Sequence, residues 1–277
     1  MTSTSIGPIA ILGAGNVGQA LARGLLAAKR ITAADLALTR RHADKHGSVT
    51  GTGLTIGSDN RAAIAAARLV VIAVQPRQLD ELLSGLIGAL DPACHAVISV
   101  VTGVTIEQIR TQLGRELPIV RAMPNTAIAI GQSMTCLAAL PEHRAALDEA
   151  RALFDAVGTT LQIDEAMMES ATALCACGVA FFLRSIRAAS QGGIEIGFHP
   201  EEALLMAAQT ARGAAGLLMQ AGSHPEAEID RVTTPRGCTI AGLNEMEHRG
   251  FSSAMIKGIV TSARKAVELY RAPARGG

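Results

Sequence analysis

The sequence predicts an α/β protein in two parts, a doubly wound parallel sheet over residues 1–163 and an all-α region over residues 164–277. Three observations predict this. Short apolar runs alternate with helical segments through the first part, a glycine-rich turn follows the first of those runs, and from Asp164 onward the pattern is helical only. Continuous apolar runs, rather than alternating ones, are what strands buried on both faces require.

The elements follow in order. Ile9-Ala-Ile-Leu12 is the first strand, and it breaks into Gly13-Ala14-Gly15-Asn16-Val17-Gly18 before a helix from Gln19 to about Lys29. In such a turn the first glycine makes the bend, the second lets a pyrophosphate approach the backbone, and the third lets the helix pack close to the strand. A Rossmann-type dinucleotide site is therefore expected, with Gly13, Gly15, Asn16, Val17 and Gly18 against the cofactor. Leu36–Thr39 is the second strand, Leu54–Ile56 a short third, Leu69–Val74 the fourth, Ala96–Val101 the fifth and Pro118–Met123 the sixth. Met134–Leu137 and Thr160–Ile163 complete the sheet. Asp164 caps a helix running to about Ser190, Pro200 opens a second that stops near Gly222, and Gly250 separates the last two before Pro273 ends the pattern.

Composition narrows the function classes. Hydrophobic residues make up 49% of the chain and aromatic ones 2%, so the core must be built from Ala, Val, Ile and Leu with glycine at close approaches. The formal net charge of +1, without a long run of one sign, argues against nucleic acid or an anionic membrane as partner. No basic region precedes the first apolar run, so no signal peptide is read. The longest apolar helix on this reading, Ala203 to Gln220, contains Gln209 and Arg212 and is not taken as a membrane span. Five cysteines without CxxC spacing suggest free thiols in a reducing, cytoplasmic compartment. Cys175 and Cys177 point to different helix faces and cannot share a metal. His42 and His46 lack further ligands nearby, and no metal site is expected.

Two stretches carry binding chemistry. The second strand ends in Thr39-Arg40-Arg41, where an Asp or Glu would receive the ribose 2′-hydroxyl of NAD; guanidinium groups instead suit a 2′-phosphate, which favours NADP over NAD. The other is Thr234-Pro235-Arg236-Gly237-Cys238-Thr239, a turn entering a helix with hydroxyls and no acid. Its free backbone N–H groups are suited to a carboxylate or phosphate. Ala73-Val74-Gln75-Pro76, at the carboxyl end of the fourth strand, lies where open α/β sheets bind ligands.

These motifs together resemble the pyrroline-5-carboxylate reductase family. The C-terminal signature of that family reads S-P-G-G-T-T-I-A-G-L, an acidic-hydrophobic stretch, then G-F; Thr234, Pro235, Gly237, Thr239, Ile240, Ala241, Gly242, Leu243, Glu247, Gly250 and Phe251 match it. The glycine fingerprint, A-V-x-P at Ala73–Pro76, M-P-N-T at Met123–Thr126 and Q-T-A-x-G-A-A at Gln209–Ala215 occur in family order. The resemblance implies a helical domain that interleaves with a second copy as a homodimer, with a decamer of five dimers as the higher assembly. It implies that Asn60 contacts the adenosine side of the cofactor, although Asn60 serves equally as a helix cap, and that Ala73, Val74, Gln75 and Pro76 line the nicotinamide ribose. Asn125 is then expected beside nicotinamide and substrate. The substrate carboxylate would lie on the N–H groups of Arg236, Gly237, Cys238 and Thr239, with the Thr234 hydroxyl assisting. Thr239 is the candidate catalytic residue, positioning the imine nitrogen or relaying a proton through water.

The implied activity is NADPH-dependent reduction of 1-pyrroline-5-carboxylate to L-proline. Departures gather on the substrate side. Arg236 and Cys238 replace family Gly and Thr, Gln75 replaces Lys, Ala127 replaces Pro, and Val101-Thr102-Gly103 stands for A-A-G. Cys175-Ala-Cys177-Gly178-Val179-Ala180-Phe181 stands for S-G-S-G-P-A-Y, and Arg187 for Glu. A paralogue acting on another cyclic imine, or a dinucleotide-binding regulator without turnover, would carry such changes. A β-hydroxyacid dehydrogenase would place a lysine in the first long helix after the sheet, and residues 165–190 contain none.

Overall fold

The computed structural model describes residues 6–41, 49, 52–220 and 222–269; His42, His46 and Pro273 lie outside them. The chain forms two compact units, Met1–Cys177 joined by the segment from Ser262, and Gly178–Thr261. Each is taken in turn.

The first unit is built on eight strands: β1 (Ile9–Leu12), β2 (Leu36–Thr39), β3 (Ile56–Gly57), β4 (Leu69–Ile72), β5 (Ala96–Ser99), β6 (Ile119–Met123), β7 (Ser133–Ala139) and β8 (Gly158–Gln162). Their order is β3-β2-β1-β4-β5-β6-β7-β8, and all pairings are parallel except β6 with β7. Chain order reverses direction at β1, between β2 and β4, which is the switch point where this class of sheet opens a crevice. The helices are α1 (Asn16–Ala27), α2 (Asn60–Ile64), α3 (Pro76–Leu86), α4 (Ile106–Leu113) and α5 (Arg144–Asp155).

Side-chain alternation explains why helices cover both faces. Ile9 and Ile11 join Leu21 and Leu25 of α1 and Leu153 and Phe154 of α5 in one core layer. Ala10 and Leu12 join Leu79 and Leu83 of α3 and Ile109 and Leu113 of α4 in the other. Adjacent strand residues point to opposite faces, so a run apolar at every position must be covered twice. Each fully buried Leu in these layers contributes about 2–3 kcal/mol of transfer free energy, and truncation to Ala would cost about 2–5 kcal/mol.

The strands extend less far than expected at the crevice end: β4 stops at Ile72 and β5 at Ser99, because the chain turns away there to begin the ligand-facing loops. Helix α1 begins at Asn16, in the glycine turn itself, rather than at Gln19. Beyond β8, Glu165–Met167 forms a 3-10 turn that continues as α6 (Met168–Ala171), a π-helical turn (Thr172–Cys177) and α7 (Gly178–Glu195). This rod outlasts the expected end at Ser190. Glu165–Glu195, with an 18-residue window of mean hydropathy 1.7, is long and apolar enough by length and composition to cross a membrane, so the longest apolar helix among the described residues is here and not at Ala203–Gln220.

The opening turns of that rod are tied to the sheet. Arg121 of β6 is 2% exposed, and its guanidinium reaches Glu165 Oε1 at 3.4 Å and Glu169 Oε1 at 3.2 Å. Glu165 Oε1 also accepts from the Ile106 N–H at 2.7 Å. Met168 and Ala171 meet Met123, Cys136 and Ala138 in a small apolar cluster. Removing one partner from a buried ion pair costs more than the pair contributes, because a desolvated charge is left unpaired.

The second unit consists of α7, α8 (Pro200–Leu218), α9 (Pro225–Val232), α10 (Cys238–His248) and most of α11 (Phe251–Val267). Helix α8 starts at Pro200, where the absent proline N–H costs nothing. A Cβ at Gly193 would stand 3.0 Å from that of Ala203, so α7 and α8 approach closely. Among the described residues 178–261 only Gly178, Ser190 and Ala203 are buried, while Leu205 is 71% and Ile196 77% exposed. Large apolar side chains uncovered on this scale mark a contact surface.

Candidate functional site

The first unit holds a cavity of about 550 Å³ at the crevice end of β1, β2 and β4. Its wall includes Gly13, Ala14, Gly15, Thr39, Arg40, Arg41, Ser58, Asn60, Ala73, Val74, Gln75, Arg77, Gln78 and Glu81. The glycine turn makes this possible. Gly13 adopts φ +121, and a Cβ there would collide with the Ala73 carbonyl; a Cβ on Gly18 would collide with the carbonyl of Gly13. The turn is thus clamped between the ends of β1 and β4, with the Gly13 and Ala14 N–H groups donating to the Thr39 carbonyl at 3.1 and 2.8 Å. Gly15 caps α1, lines the cavity and has no heavy atom within 4 Å of a Cβ position. A backbone bared in this way at a helix N-terminus fits a pyrophosphate.

The residues expected to hold the cofactor divide accordingly. Gly13, Gly15, Thr39, Arg40, Arg41, Asn60, Ala73, Val74 and Gln75 all line the cavity. Asn16, Val17 and Gly18 form the first turn of α1, and Pro76 is the first residue of α3; they shape the walls' supports. Asn60 does not cap α2. Asp59 does, its Oδ1 accepting from the N–H groups of Arg61 and Ala62. Asn60 Oδ1 instead accepts from the Thr39 hydroxyl at 2.6 Å, which fixes both side chains at the cavity rim.

Tertiary structure adds groups that sequence spacing left hidden. Glu81 of α3 reaches Arg41 Nη2 with Oε2 at 2.7 Å, so an acid does stand beside the arginine pair. Arg77 of the same helix adds a third guanidinium to the wall, with Ser58 as a further hydroxyl. The signal that could have found Glu81 was weak: four residues after Arg77 on a helix, it lies on the same face.

Asn125 is buried beyond the end of β6. Its N–H donates to Ser133 Oγ at 3.2 Å, its Oδ1 accepts from the Ala127 N–H at 3.0 Å, and its Nδ2 donates to the Cys175 carbonyl at 3.3 Å. The segment Met123-Pro124-Asn125 is therefore held from the sheet on one side and from the π-helical turn on the other. Near it the Cys136 and Cys175 sulfurs lie 3.9 Å apart. The hydrogen bond from Cys136 holds the Cys175 thiol below its ordinary range, at about 7, while that bond and burial push Cys136 up.

In the second unit Thr234–Gly237 is a β-turn, closed by the Gly237 N–H donating to the Thr234 carbonyl at 2.9 Å. Pro235 precedes Arg236, which adopts φ +61, the pattern of a type II turn whose third residue is ordinarily glycine. A non-glycine residue held there costs on the order of 1 kcal/mol. The turn sets Gly237 as the N-cap of α10, whose first turn contains Cys238 and Thr239 and no acid. Thr239 Oγ1 donates to the Val232 carbonyl at 3.2 Å, tying the helix start to the end of α9 and leaving its lone pairs free to accept. Thr234, Arg236 and Cys238 are exposed. Among the described residues no group of three or more metal-ligating side chains occurs.

Known proteins resemble this chain in sequence and fold. The family model for pyrroline-5-carboxylate reductase dimerisation matches residues 165–269, and one described as NADP oxidoreductase, coenzyme F420-dependent, matches residues 8–103. Pyrroline-5-carboxylate reductase 1 of Dictyostelium discoideum is 50% identical over 274 residues; the match takes 95% of this chain and spans about half, 50%, of that relative. Pyrroline-5-carboxylate reductase 2 of the same organism is 48% identical, with 93% of this chain and 91% of the relative covered. Among solved structures, the Plasmodium falciparum pyrroline carboxylate reductase with NADP bound superposes with a TM-score of 0.86 at 23% identity, covering 95% of this chain and 98% of that one.

Proposed function

The chain belongs to the pyrroline-5-carboxylate reductase family, and from that premise we propose that it reduces 1-pyrroline-5-carboxylate to L-proline with NADPH. The observation that carries the reading is the cavity at the β1–β4 switch point, lined by a bared Gly15 and by Arg40, Arg41 and Arg77. Gly13, Gly15 and the α1 N-terminus would hold the pyrophosphate. Arg40 and Arg41 would hold the 2′-phosphate, while Asn60 and Thr39 would take the adenosine side. Ala73, Val74, Gln75 and Pro76 would border the nicotinamide ribose. When bound, the nicotinamide supplies the hydride.

The remaining work falls to residues of the chain. The N–H groups at the start of α10, from Arg236 to Thr239, bind the substrate carboxylate, with Thr234 assisting. Thr239 accepts from a protonated imine nitrogen, or from its water, while donating to Val232; it orients the substrate and is too weak an acid to serve as general acid. Asn125, locked by three hydrogen bonds, keeps the Met123–Thr126 segment in place. Such prior orientation lowers the entropic part of the barrier.

Assembly is part of the same proposal. The exposed apolar faces of α7, α8 and α11 are covered by a second copy, giving a homodimer, with a decamer as the higher form; α7, the second part of the apolar rod, serves as subunit contact in this reading and not as part of a membrane span. We place the functional boundary at residues 163 and 164. The match to the dimerisation family from residue 165 supports it, and the compact units divide later because Arg121 and the Met168 cluster draw the first turns of the rod onto the sheet. The five free cysteines accord with a reducing, cytoplasmic setting.

A second reading, action on another cyclic imine, is favoured by Arg236, whose side chain stands where the family has glycine. One assay separates them: NADPH consumption by the full-length protein with pyrroline-5-carboxylate and with a panel of other cyclic imines. Turnover greatest on pyrroline-5-carboxylate, with proline as product, is expected. Turnover confined to another imine would overturn the substrate assignment, and nucleotide binding without turnover on any imine would overturn the enzymatic one.

A further inference from the structure

We propose that Cys136 and Cys175 constitute a redox-modifiable dithiol, which a hydroperoxide converts into an intramolecular disulfide that slows turnover. The two residues are 39 apart in sequence and come from different elements, β7 and the π-helical turn, yet their sulfurs stand 3.9 Å apart. All five cysteines are described, and no other pair of sulfurs lies within hydrogen-bonding reach. Cys94 Sγ is engaged with Asp91 Oδ2 at 3.8 Å, and Cys238 belongs to the second unit.

The environment assigns the two sulfurs different tasks. Cys175 is half-buried, and its hydrogen bond with Cys136, the sulfurs 3.9 Å apart, lowers its thiol to about 7. Cys136, 3% exposed, lies behind it as the protonated donor. Reactive thiols are partly exposed and thiolate-stabilised, and redox pairs place a resolving thiol next to them.

The chemistry balances in two steps. The Cys175 thiolate attacks one peroxide oxygen; the S–O bond forms, the O–O bond breaks, and the departing hydroxide takes a proton and leaves as water. Cys136 then attacks the Cys175 sulfur of the sulfenic acid; the S–S bond forms, the S–O bond breaks, and hydroxide leaves as water with the Cys136 proton. Two thiols lose two electrons in all, and one hydroperoxide is reduced to two waters, or to water and an alcohol if organic.

Closing the bond requires the sulfurs to move from 3.9 Å to about 2 Å. Strand β7 is paired on both sides, with β6 and β8, so the π-helical turn is the part that gives; its hydrogen bonding is already looser than that of an α-helix. That turn presents the Cys175 carbonyl to Asn125 Nδ2, so the adjustment pulls on the Met123–Thr126 segment. The effect on turnover rests on the reading of Asn125 given above.

The test treats full-length protein with excess hydrogen peroxide and follows free thiols, peptide masses and NADPH consumption in parallel. Expected are a fall from five titratable thiols to three, one cross-linked peptide joining Cys136 to Cys175, a several-fold loss of turnover, and recovery of both with dithiothreitol. Cys136→Ser should leave basal turnover intact and yield a trappable sulfenic acid at Cys175 with no cross-link; Cys175→Ser should give neither product, and serves if the first variant folds poorly. Retention of all five thiols, a cross-link between other cysteines, or equal inactivation of Cys136→Ser would overturn the dithiol. A Cys136–Cys175 cross-link without loss of turnover would overturn the link to Asn125. Absence of turnover in the reduced protein would instead fail the imine reductase reading.

Discussion

Replacing Glu81 by Gln should tighten NADPH binding and leave NADH binding the same or slightly weaker. The pair between Arg41 Nη2 and Glu81 Oε2 measures 2.7 Å, with side chains 50% and 71% exposed. An exposed pair of this kind contributes about 0.2–1 kcal/mol, which a 2′-phosphate must displace to claim the guanidinium. The carboxylate also repels the phosphate; at about 6 Å in a water-like dielectric that repulsion is about 0.7 kcal/mol. Together the variant should gain about 0.9–1.7 kcal/mol, or about five- to twentyfold in Kd for NADPH. Titrating each cofactor against full-length wild type and E81Q by quenching of nucleotide fluorescence measures the ratio directly. The gain must shrink as salt approaches 1 M, where the screening length is about 3 Å. An unchanged NADPH to NADH ratio would refute the argument, because Arg41 would then lie away from the 2′-phosphate.

Four other outcomes are expected. Arg40→Ala combined with Arg41→Ala should weaken NADPH by about 1.5–3 kcal/mol while sparing NADH, as measured by the same titration; equal losses for both cofactors would count against the phosphate contact. Thr239→Val should lower kcat/KM for the imine by about ten- to a hundredfold with little change in cofactor affinity, plus a stability loss of about 1 kcal/mol from the severed bond to Val232, so steady-state kinetics and a melting curve together separate the two effects. Arg236→Gly should relieve the left-handed backbone and raise stability by about 1 kcal/mol, read as a higher Tm; KM rises if the guanidinium binds the carboxylate and falls if it narrows the approach. The full chain should sediment as a dimer or larger at micromolar concentration, and a stable, active monomer would contradict the assembly proposed for the helical unit.

Much of the fold was legible because it rests on short-range rules. Ile9–Leu12 and Leu36–Thr39 occur as strands at the expected residues, since an unbroken apolar run flanked by Gly or a charged pair admits few other conformations. The glycine fingerprint was equally readable, each glycine answering a local steric demand that spacing encodes. What escaped was contact between distant segments. Glu81 meets Arg41 across 40 residues, and nothing in Thr39-Arg40-Arg41 announces an acid arriving from another helix. Cys175 was readable as a residue that cannot share a metal with Cys177, but its neighbour Cys136 sits on a strand whose register no sequence rule fixed. The π-helical turn was hidden too, as its extra residue leaves the apolar pattern of Thr172–Cys177 indistinguishable from that of an α-helix. At the α10 turn the sequence revealed that Arg236 stands in a glycine slot; only the backbone showed that the slot still demands a positive φ.

The uneven burial of the two parts gives the chain a timetable. The β1–β8 sheet can complete its two core layers as soon as α5 and β8 have been synthesised, because all of its covering helices lie within the same stretch of chain. The helices that emerge after it carry Leu205, Leu217 and Ile256 uncovered among the described residues, and in the proposed assembly a second copy covers them. A newly made molecule therefore passes through an interval in which a finished nucleotide-binding half is attached to an adhesive one, and the length of that interval is set by the supply of identical chains nearby. Sparse expression lengthens it and crowded translation shortens it, so the yield of active protein should rise faster than in proportion to the rate of synthesis.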